Sequence, residues 1–434
     1  MFARRIAVVG TGYVGLTTGA CLASLGHRVV CADIDTAKIE RLRRGEVDIL
    51  EPGLVELVVE GMAAGRLEFV VGAREAISRP DELPVEVMFL CVPTPMGAGG
   101  AADLSAVEAV AAEVRSLLPS GCVVVNKSTV PVGTAAATLG LLNRRDVAVV
   151  SNPEFLREGS AVHDFLHPDR IVVGCDAQDA AERVAALYSK LGAPTVLTDA
   201  ASAEMVKYAA NCFLAMKLSY VNALAELCDV LGADVGAVTE GMGYDRRIGQ
   251  AFLKPGPGWG GSCLPKDTNA LVQVAAAAGR ELPIVSASIA TNERQRVLMV
   301  DKVRDAVGGS LAGLRIGLLG LTFKAGTDDL RDSPALAVAA LLRVEGAELT
   351  GFDPGCPVAV PGVTDDVTVV SDALLAAKDA AALVVLTEWP QFRSLDWAGI
   401  AGEMACRVVV DTRNLLDADV LRRARISWVG VGRR

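Results

Sequence analysis

The 434-residue sequence contains only three histidines, and aromatic residues make up just 4% of it. None of the histidines stands at zinc-ligand spacing from a cysteine or an acidic residue, so we expect no metal site. Although 51% of the residues are hydrophobic, no uninterrupted apolar run is long enough to span a membrane. We therefore expect a soluble protein without a membrane partner.

A secretion signal is also missing, because the first apolar run, IAVVG at 6–10, is short and leads directly into a glycine motif. The expected location is the cytoplasm. The net charge of −10 argues against a nucleic-acid partner. The ten cysteines show no CxxC spacing, and eight of them are expected to be small buried thiols. These eight are Cys21, Cys31, Cys91, Cys122, Cys175, Cys212, Cys228 and Cys406.

Short, continuously apolar runs alternate with helical stretches in the first half of the chain. Such runs are typical of parallel strands that are covered on both faces, which predicts a doubly wound α/β domain ending near residue 198. The candidate strands are 5–9, 28–33, 67–71, 86–92, 122–126, 147–150 and 170–173.

The middle of the chain is helical. Residues 201–232 contain no proline and no glycine before Gly232, which predicts one long helix. A helix this long and apolar could pack against a second subunit or, almost as well, within its own chain. Strand-like runs return after residue 313, and the second of them ends in Asp353, much as the second strand of the first half ends in Asp33. We predict two Rossmann-like domains, 1–198 and 299–434, flanking a helical domain, 199–298.

The motif GTGYVG at 10–15 follows a candidate strand and opens a helical stretch. In such a motif Gly10 permits the tight turn, Gly12 lets a pyrophosphate approach the backbone, and Gly15 lets helix pack on strand. Asp33 ends the next strand, where a carboxylate binds ribose hydroxyls and repels a 2′-phosphate. This pattern predicts a site for NAD rather than NADP; a glycine turn with no ligand is the alternative.

The stretch GWGGSCLPKD at 258–267 places Cys263 between a glycine-rich turn and a Lys-Asp pair. A nearby cation such as Lys266 would favour the thiolate, and glycine N–H groups could face an oxyanion. The alternative is a flexible loop with an incidental cysteine. A nucleophilic thiol beside a dinucleotide site suits a four-electron oxidation of a primary alcohol to a carboxylate.

Eight motifs in order make the chain resemble the UDP-glucose/GDP-mannose dehydrogenase family, the nucleotide-sugar 6-dehydrogenases. The resemblance covers nearly the whole chain and implies an NAD-binding Rossmann domain, a helical dimerisation domain and a nucleotide-sugar domain. The motifs are GTGYVGL (10–16), CVPTP (91–95), KSTVPVGT (127–134), NPEFLREGSA (152–161), EMVKYAAN (204–211), FLKPGPGWGGSCLPKD (252–267), LTFKAGTDDLRDSPA (321–335) and DTRN (411–414).

The resemblance implies the catalytic residues. Cys263 would be the nucleophile, Lys207 and Asn211 would stabilise oxyanions, Asp267 and Thr129 would hold a water, and Glu154 would be the base or positioning group for thioester hydrolysis. Without the resemblance, Lys207 and Asn211 would be ordinary polar surface, Glu154 a helix-start carboxylate and Asp267 a helix N-cap.

The resemblance also implies two sets of binding residues. The cofactor set is Gly10, Gly12, Tyr13, Val14, Gly15, Asp33, Lys38, Thr94, Thr129, Glu158, Lys266 and Arg331. The substrate set is Glu154, Phe155, Leu156, Lys207, Asn211, Arg247, Phe252, Leu253, Lys254, Gly260, Lys324 and Arg413. Arg247 would reach the sugar held by a neighbouring subunit. Lys38 departs from the arginine of many relatives, and a lysine meets a phosphate as a point charge only.

The loop PGPGWGGSC and the motif VPVGT favour UDP-glucose as the substrate. The alternatives are dTDP-glucose, which differs by one methyl group on the base, and GDP-mannose. A two-electron dehydrogenase of the 6-phosphogluconate or 3-hydroxyacid type also combines a Rossmann domain with a long helix, but it needs neither the cysteine nor a third domain. A non-catalytic nucleotide sensor is a third possibility.

Overall fold

A computed structural model describes residues 3–79 and 83–433 of the chain. These residues form two compact units. The first contains the described residues up to Ala210 together with Asn269–Gly279, and the second contains Asn211–Thr268 together with the described residues from Arg280 onwards. The three-part division at 198 and 298 stays a prediction.

The first unit is built around an eight-stranded sheet. Its strands are β1 Arg5–Val9, β2 Arg28–Asp33, β3 Leu67–Val71, β4 Val87–Leu90, β5 Val123–Asn126, β6 Ala148–Ser151, β7 Ile171–Gly174 and β8 Thr195–Thr198. They lie in the order β3-β2-β1-β4-β5-β6-β7-β8, of which the first six form the doubly wound Rossmann order. Strands β1 to β6 pair in parallel, whereas β7 pairs antiparallel to β6 at Ser151 and Gly174.

Both faces of this sheet are covered, and alternate side chains of the central strand β1 enter the hydrophobic cores on opposite faces. All five residues of β1 are buried. Ile6 and Val8 belong to the hydrophobic core on one face, and Ala7 and Val9 belong to the core on the other. This explains the continuous apolar run in the sequence and confirms the prediction of a doubly wound sheet.

Eight helices accompany these strands. They are α1 Tyr13–Ser24, α2 Thr36–Arg43, α3 Leu54–Ala63, α4 Ala73–Ile77, α5 Ser105–Val114, α6 Thr134–Leu142, α7 Ala161–Leu166 and α8 Gln178–Leu187. The long helix α9, Ala200–Leu231, follows and contains the boundary between the two units. It confirms the predicted helix over 201–232.

The remaining helices of the middle region are α10 Val235–Gly243, α11 Leu264–Ala277 and α12 Pro283–Ala306. Helix α12 has proline at its first position, where the missing N–H costs no hydrogen bond, and it extends beyond residue 298. None of the helices in residues 3–79 and 83–433 is long and apolar enough to cross a membrane.

The second unit contains a six-stranded parallel sheet. Its strands are β9 Arg315–Leu319, β10 Glu348–Phe352, β11 Thr368–Val369, β12 Ala382–Val385, β13 Val408–Asp411 and β14 Ser427–Val429. The order β11-β10-β9-β12-β13-β14 repeats the Rossmann order of the first sheet. The helices are α13 Pro334–Val344, α14 Ala373–Ala377, α15 Trp397–Glu403 and α16 Ala418–Arg423. Two Rossmann-like domains were predicted, and both are present.

Candidate active site

The turn after β1 requires glycine at two positions. Gly10 has φ of +96°, and its N–H donates to the Ala32 carbonyl at 2.7 Å. A Cβ on Gly10 would lie 2.5 Å from the Cys91 carbonyl oxygen, and one on Gly15 would lie 1.9 Å from the Gly10 oxygen. The motif therefore lets the start of α1 approach the sheet more closely than any side chain would permit.

The space beside Gly12 fits a pyrophosphate. A Cβ placed on Gly12 would meet none of the described residues within 4 Å. Gly12 is the N-cap of α1, and as a glycine it has no side chain that could accept a hydrogen bond from the N–H groups of the first turn. An open approach to uncapped N–H groups at a helix start is what a dinucleotide phosphate needs, so these residues fit the pyrophosphate of NAD.

Asp33 closes β2 beside this turn. Its Oδ2 accepts hydrogen bonds from the Thr11 N–H at 2.9 Å and the Thr11 hydroxyl at 2.7 Å. Lys38 Nζ lies 3.6 Å from the same oxygen. Partial burial works against ionisation, but the hydrogen bonds from Thr11 and Asp35 and the charge of Lys38 together lower the pKa of the carboxyl. Asp33 is thus a carboxylate at neutral pH, as a ribose-binding group must be.

Five other predicted cofactor residues of the first unit lie near this turn or on the loops that follow β4, β5 and β6. The Tyr13 hydroxyl lies 2.6 Å from Glu51 Oε2 and 2.8 Å from the Arg157 carbonyl, and Val14 packs against the hydrophobic core. Thr94 donates to the Thr129 carbonyl at 2.9 Å, so the structure brings these two residues together. Glu158 is half-buried in the loop between β6 and α7.

Glu154 and Lys207 form a buried ion pair. Lys207 Nζ donates to Glu154 Oε1 at 2.9 Å, and the side chains are only 6% and 5% exposed. Burial raises the pKa of Glu154, but the charge and hydrogen bond of Lys207 and the Leu156 N–H outweigh it, so the pKa lies below its usual value. Helix α7 begins only at Ala161, so Glu154 does not start a helix, and Lys207 is not polar surface.

A cavity of about 140 Å³ adjoins this ion pair in the first unit. Phe155 and Leu156, two predicted substrate residues, line it together with Glu154. The Arg170 guanidinium stacks 3.5 Å from the centre of the Phe155 ring, and Lys207 Nζ lies 5.4 Å from that centre. Two cations therefore flank one aromatic ring next to the buried carboxylate.

In the second unit, Cys263 immediately precedes α11. Its carbonyl accepts the Asp267 N–H at 2.9 Å, which is the first hydrogen bond of the helix, and its sulfur lies 3.6 Å from the Ser262 hydroxyl. The side chain is half-buried. A thiol at the start of a 14-residue helix is placed where the helix dipole favours the thiolate. The sequence did not reveal this, because the proline at position 265 made the helix appear to start later.

Asp267 lies within the first turn of α11 and is completely buried. The Asn211 amide donates to its Oδ2 at 2.5 Å, and Lys266 Nζ donates to its Oδ1 at 2.6 Å. Asp267 is therefore not the N-cap, and Asn211, only 8% exposed, is not polar surface. The charge of Lys266, expected to act on Cys263, is offset at least in part by this carboxylate.

The glycines before Cys263 lie against named neighbours within the second unit. A Cβ on Gly260 would lie 2.0 Å from the Asp332 carbonyl oxygen, and one on Gly261 would lie 2.7 Å from the Phe323 ring. A Cβ on Gly256 would approach the Arg413 guanidinium to 3.0 Å. These contacts bring the cysteine loop next to Arg413 and next to Phe323, which precedes Lys324 in the chain. Arg413 and Lys324 are both predicted substrate residues.

Sequence reasoning missed the buried amides that hold this loop. Asn292 on α12 accepts the Trp259 N–H at 2.7 Å and donates to the Trp259 carbonyl at 2.9 Å. Asn222 on α9 accepts the Gly256 N–H, and Gln295 donates to the Gly256 carbonyl. All three side chains are 2–3% exposed. Polar residues three apart on an otherwise buried helix face, as in TNERQ at 291–295, were the available signal.

The other predicted substrate and cofactor residues of the second unit have diverse surroundings. Arg413 donates to the Leu386 carbonyl at 2.8 Å and lies 3.1 Å from Glu388. Arg331 contacts Asp329, and Arg247, with its side chain 89% exposed, contacts Asp245. Lys324 Nζ lies 5.4 Å from the Phe323 ring centre.

The segment 252–254 combines a buried and two exposed side chains. Leu253 is buried, whereas Lys254 is exposed and Phe252 is 37% exposed. Phe252 has φ of +61°, an unusual conformation for an aromatic residue. Such strain is often found at binding sites, in keeping with the predicted role of this segment.

The turn after β9 in the second sheet resembles the turn after β1 in the first sheet, but its aspartate has different surroundings. The Gly320 N–H donates to the Phe352 carbonyl as Gly10 does to Ala32, and Asp353 accepts the N–H groups of Leu321 and Thr322. However, Asp353 is completely buried and also lies 3.2 Å from the Trp389 indole N–H. Its carboxylate is thus already satisfied by the protein, unlike that of Asp33.

No disulfide bond joins any of the ten cysteines, all of which lie in the described part of the chain. Of the eight expected to be buried, Cys406 is exposed and Cys175 half-buried, so the expectation was wrong for these two. The described part of the chain contains no group of three or more His, Cys, Asp or Glu side chains able to hold a metal ion.

Three family models match successive parts of the chain. The NAD-binding domain of the UDP-glucose/GDP-mannose dehydrogenase family matches residues 4–192, the central domain of that family matches residues 201–294, and its UDP-binding domain matches residues 317–418.

Individual relatives match over almost their full length. A UDP-glucose 6-dehydrogenase of Rhizobium meliloti is 43% identical and covers 99% of both chains. UDP-glucose 6-dehydrogenase TuaD of Bacillus subtilis is 42% identical over 99% of this chain and 93% of its own. The solved structure of a UDP-glucose dehydrogenase from Pyrobaculum islandicum is 37% identical and superimposes with a TM-score of 0.88 over 100% of this chain and 98% of its own.

Proposed function

Because the chain belongs to the UDP-glucose/GDP-mannose dehydrogenase family and is an NAD-dependent dehydrogenase, we propose that it oxidises the C6 alcohol of UDP-glucose to the carboxylate of UDP-glucuronate. The full-length relatives at 42–43% identity, both named UDP-glucose 6-dehydrogenase, support this substrate. The observation that carries the chemistry is the position of the Cys263 thiol at the start of α11. The first turn of this helix contains the buried Asp267, whose carboxylate accepts hydrogen bonds from Asn211 and Lys266.

NAD, when bound, would accept one hydride in each of two oxidations. Gly10, Gly12 and Gly15 would cradle its pyrophosphate and Asp33 would bind a ribose. The remaining residues proposed to contact it are Tyr13, Val14, Lys38, Thr94, Thr129, Glu158, Lys266 and Arg331. Because the Tyr13 hydroxyl is engaged by Glu51 and Arg157, we assign the contribution of Tyr13 to its backbone.

Cys263 would carry the substrate between the two oxidations. The first converts the alcohol to an aldehyde, and the thiolate then adds to the aldehyde carbon, forming a C–S bond and an alkoxide that becomes a thiohemiacetal. Loss of the second hydride leaves a thioester. Water cleaves the C–S bond, giving the carboxylate and the free thiol, so four electrons leave the substrate in two hydrides.

The surrounding side chains would stabilise charge and place water. Lys207 and Asn211 would stabilise the oxyanion formed at each addition, through a positive charge and an amide N–H. Asp267 and Thr129 would hold the water, and Glu154 would orient it or accept its proton. The lowered pKa of Glu154 keeps it able to accept that proton at neutral pH.

The nucleotide sugar would be bound by the predicted substrate residues. Fixed cations suit its diphosphate, and Lys324 and Arg413 are the residues assigned to it. Phe155, Leu156, Phe252, Leu253, Lys254 and Gly260 would line the rest of the pocket, and Arg247 would reach the sugar of a neighbouring subunit. The exposed Arg247 side chain is consistent with such a role.

A homodimer is supported by the exposed face of α9. Phe213, Tyr220 and Leu227 recur every seven residues and are 57%, 56% and 51% exposed. A seven-residue apolar repeat is typical of a helix that packs against another helix. A second copy of the same helix offers the same stripe, so a two-fold interface would cover both.

The cytoplasm is the compartment that the thiols favour. None of the ten cysteines, all of which lie among the described residues, takes part in a disulfide bond, in keeping with a reducing compartment.

The function is tested by supplying the purified protein with NAD and a panel of UDP-, dTDP- and GDP-hexoses, and by quantifying NADH and uronate together. We expect UDP-glucose to give the highest kcat/KM and two NADH per uronate. A higher kcat/KM for dTDP-glucose or GDP-mannose would identify that compound, and not UDP-glucose, as the substrate. One NADH per product would favour a two-electron dehydrogenase.

A further inference from the structure

Glu204 is a buried carboxylate outside the proposed catalytic and binding residues. It lies on α9, and the residue is 3% exposed. Its Oε2 accepts the Gly133 N–H at 2.6 Å, and its Oε1 accepts the Ala135 N–H at 2.8 Å and the Ser151 hydroxyl at 3.0 Å. All three of these donors are neutral.

Each partner of Glu204 belongs to a segment that carries a proposed catalytic residue. Gly133 is the N-cap of α6 and ends the loop that begins with Lys127, Ser128 and Thr129. Ser151 ends β6, three residues before Glu154. Glu204 itself stands three residues before Lys207, on a neighbouring position of the same helix face. One side chain therefore joins three separate segments within the first unit.

The energetics indicate that Glu204 is present for its hydrogen bonds rather than to fill space. Burial of a carboxylate is costly, and an apolar side chain of similar size would fill the space without that cost. Burial also raises the pKa of Glu204, although the hydrogen bonds oppose this. The positive end of α6 offsets part of the cost, but what only a carboxylate offers here is several acceptor positions aimed at two segments at once.

We propose that Glu204 is a positioning residue that fixes the segments carrying Thr129, Glu154 and Lys207 relative to one another. The proposal rests on the catalytic roles given to these three residues under the proposed function. Glu204 acts through them and does not itself touch the substrate. The two residues of the Glu154–Lys207 ion pair lie on two of these segments, so loss of the Glu204 hydrogen bonds would displace the pair.

The central variant is Glu204→Gln. Glutamine keeps the size of the side chain, but it has one acceptor oxygen, and its amide N–H₂ would face an N–H or O–H donor. We expect kcat with UDP-glucose to fall about 10- to 100-fold, the range expected for a small misplacement of catalytic groups. KM and the dissociation constant of NADH, the latter measured by fluorescence, should change little.

Two further variants separate positioning from stability. Ser151→Ala removes one contact and should lower kcat less, and its effect should vanish in the Glu204→Gln background, since both act through one contact. Asp199→Ala is the matched control, because Asp199 caps the start of the same helix through the Ser202 N–H at 2.8 Å, and alanine removes this cap. It should lower Tm while leaving kcat unchanged.

The outcomes are distinguishable. A Glu204→Gln variant with the wild-type kcat overturns the proposal, as does a kcat loss that Asp199→Ala reproduces at the same Tm. Additive effects of Ser151→Ala and Glu204→Gln overturn it as well. A wild-type protein inactive on every hexose nucleotide contradicts the proposed function itself, whereas an active wild type with an active Glu204→Gln contradicts only the positioning role.

Discussion

Asp33 combines a structural and a proposed recognition role in one carboxylate. Its Oδ2 fixes the turn through Thr11 and lies 3.6 Å from Lys38. Asp33→Ala should weaken NAD binding and relax the rejection of NADP, since a 2′-phosphate would then meet Lys38 without facing a negative charge. The ratio of kcat/KM for NAD and NADP measures this.

A control for Asp33→Ala is Thr11→Val, which removes the hydroxyl that bonds to Asp33 but keeps the carboxylate. It should weaken NAD binding less and leave the preference for NAD in place. Unchanged cofactor kinetics in Asp33→Ala would contradict the ribose assignment.

Gly260 and Gly241 offer a matched pair of glycine substitutions. The Cβ of Gly260→Ala would lie 2.0 Å from the Asp332 oxygen, whereas that of Gly241→Ala, within α10, would meet nothing within 4 Å among the described residues. Gly260→Ala should therefore cost about 1–3 kcal/mol of stability and lower kcat. Gly241→Ala should gain up to about 1 kcal/mol and leave kcat unchanged. Urea unfolding checks both, and equal effects would refute the close approach at Gly260.

The two catalytic clusters show which part of a site a sequence can reveal. The motifs marked Glu154, Lys207, Asn211 and Asp267, but nothing local pairs Glu154 with Lys207, 53 residues away, or Asn211 with Asp267, 56 residues away. Glu204 and Asn292 remained unnoticed because their partners are also distant along the chain and their role depends on burial, which only the folded chain establishes.

Among the elements, strands with long continuous apolar runs were predictable and short, exposed edge strands were not. Strand β8 was missed because its four residues contain only two adjacent apolar side chains, and three of the four residues are exposed. Strand β14 is likewise a three-residue edge strand with no fully buried residue. The antiparallel pairing of β7 also escaped prediction, since a buried strand has the same composition in either direction.

Helix α9 carries the prediction about assembly. If Phe213, Tyr220 and Leu227 form a two-fold interface, Tyr220→Asp places two buried charges in it. With about 2 kcal/mol lost for each copy, the dimer should dissociate about a thousandfold more readily. Sedimentation should give twice 45.1 kDa for the wild type and 45.1 kDa for the variant.

Val344→Asp is the matched control, because Val344 is 84% exposed at the end of α13, away from the α9 stripe along the chain. It should sediment as the wild type does. A Tyr220→Asp protein that remains dimeric would show that another surface makes the contact.

The stability of the whole molecule should depend on pH through Lys127. This side chain is 5% exposed, and burial lowers its pKa from 10.5 to about 8. Between these values the unfolded chain binds a proton that the folded chain has released, so the free energy of unfolding rises with pH. Lys127→Met removes this contribution and leaves Asn152 bonded to the Tyr188 hydroxyl at 2.6 Å.

We therefore expect the stability advantage of Lys127→Met over the wild type to shrink by about 2 kcal/mol between pH 7.5 and pH 9.5. Urea unfolding at the two pH values measures it. The exposed Lys378 supplies the control, since Lys378→Met should differ from the wild type equally at both pH values. An advantage independent of pH would show that Lys127 titrates alike in both states.

The central claim is that Cys263 holds the substrate between two oxidations. The most direct measurement is the amount of NADH and of uronate formed from UDP-glucose by the wild type, by Cys263→Ala and by Cys406→Ala, which alters an exposed thiol. Two NADH per uronate are expected from the wild type and from Cys406→Ala, and no uronate from Cys263→Ala. Uronate formed by Cys263→Ala at the wild-type rate would contradict the account.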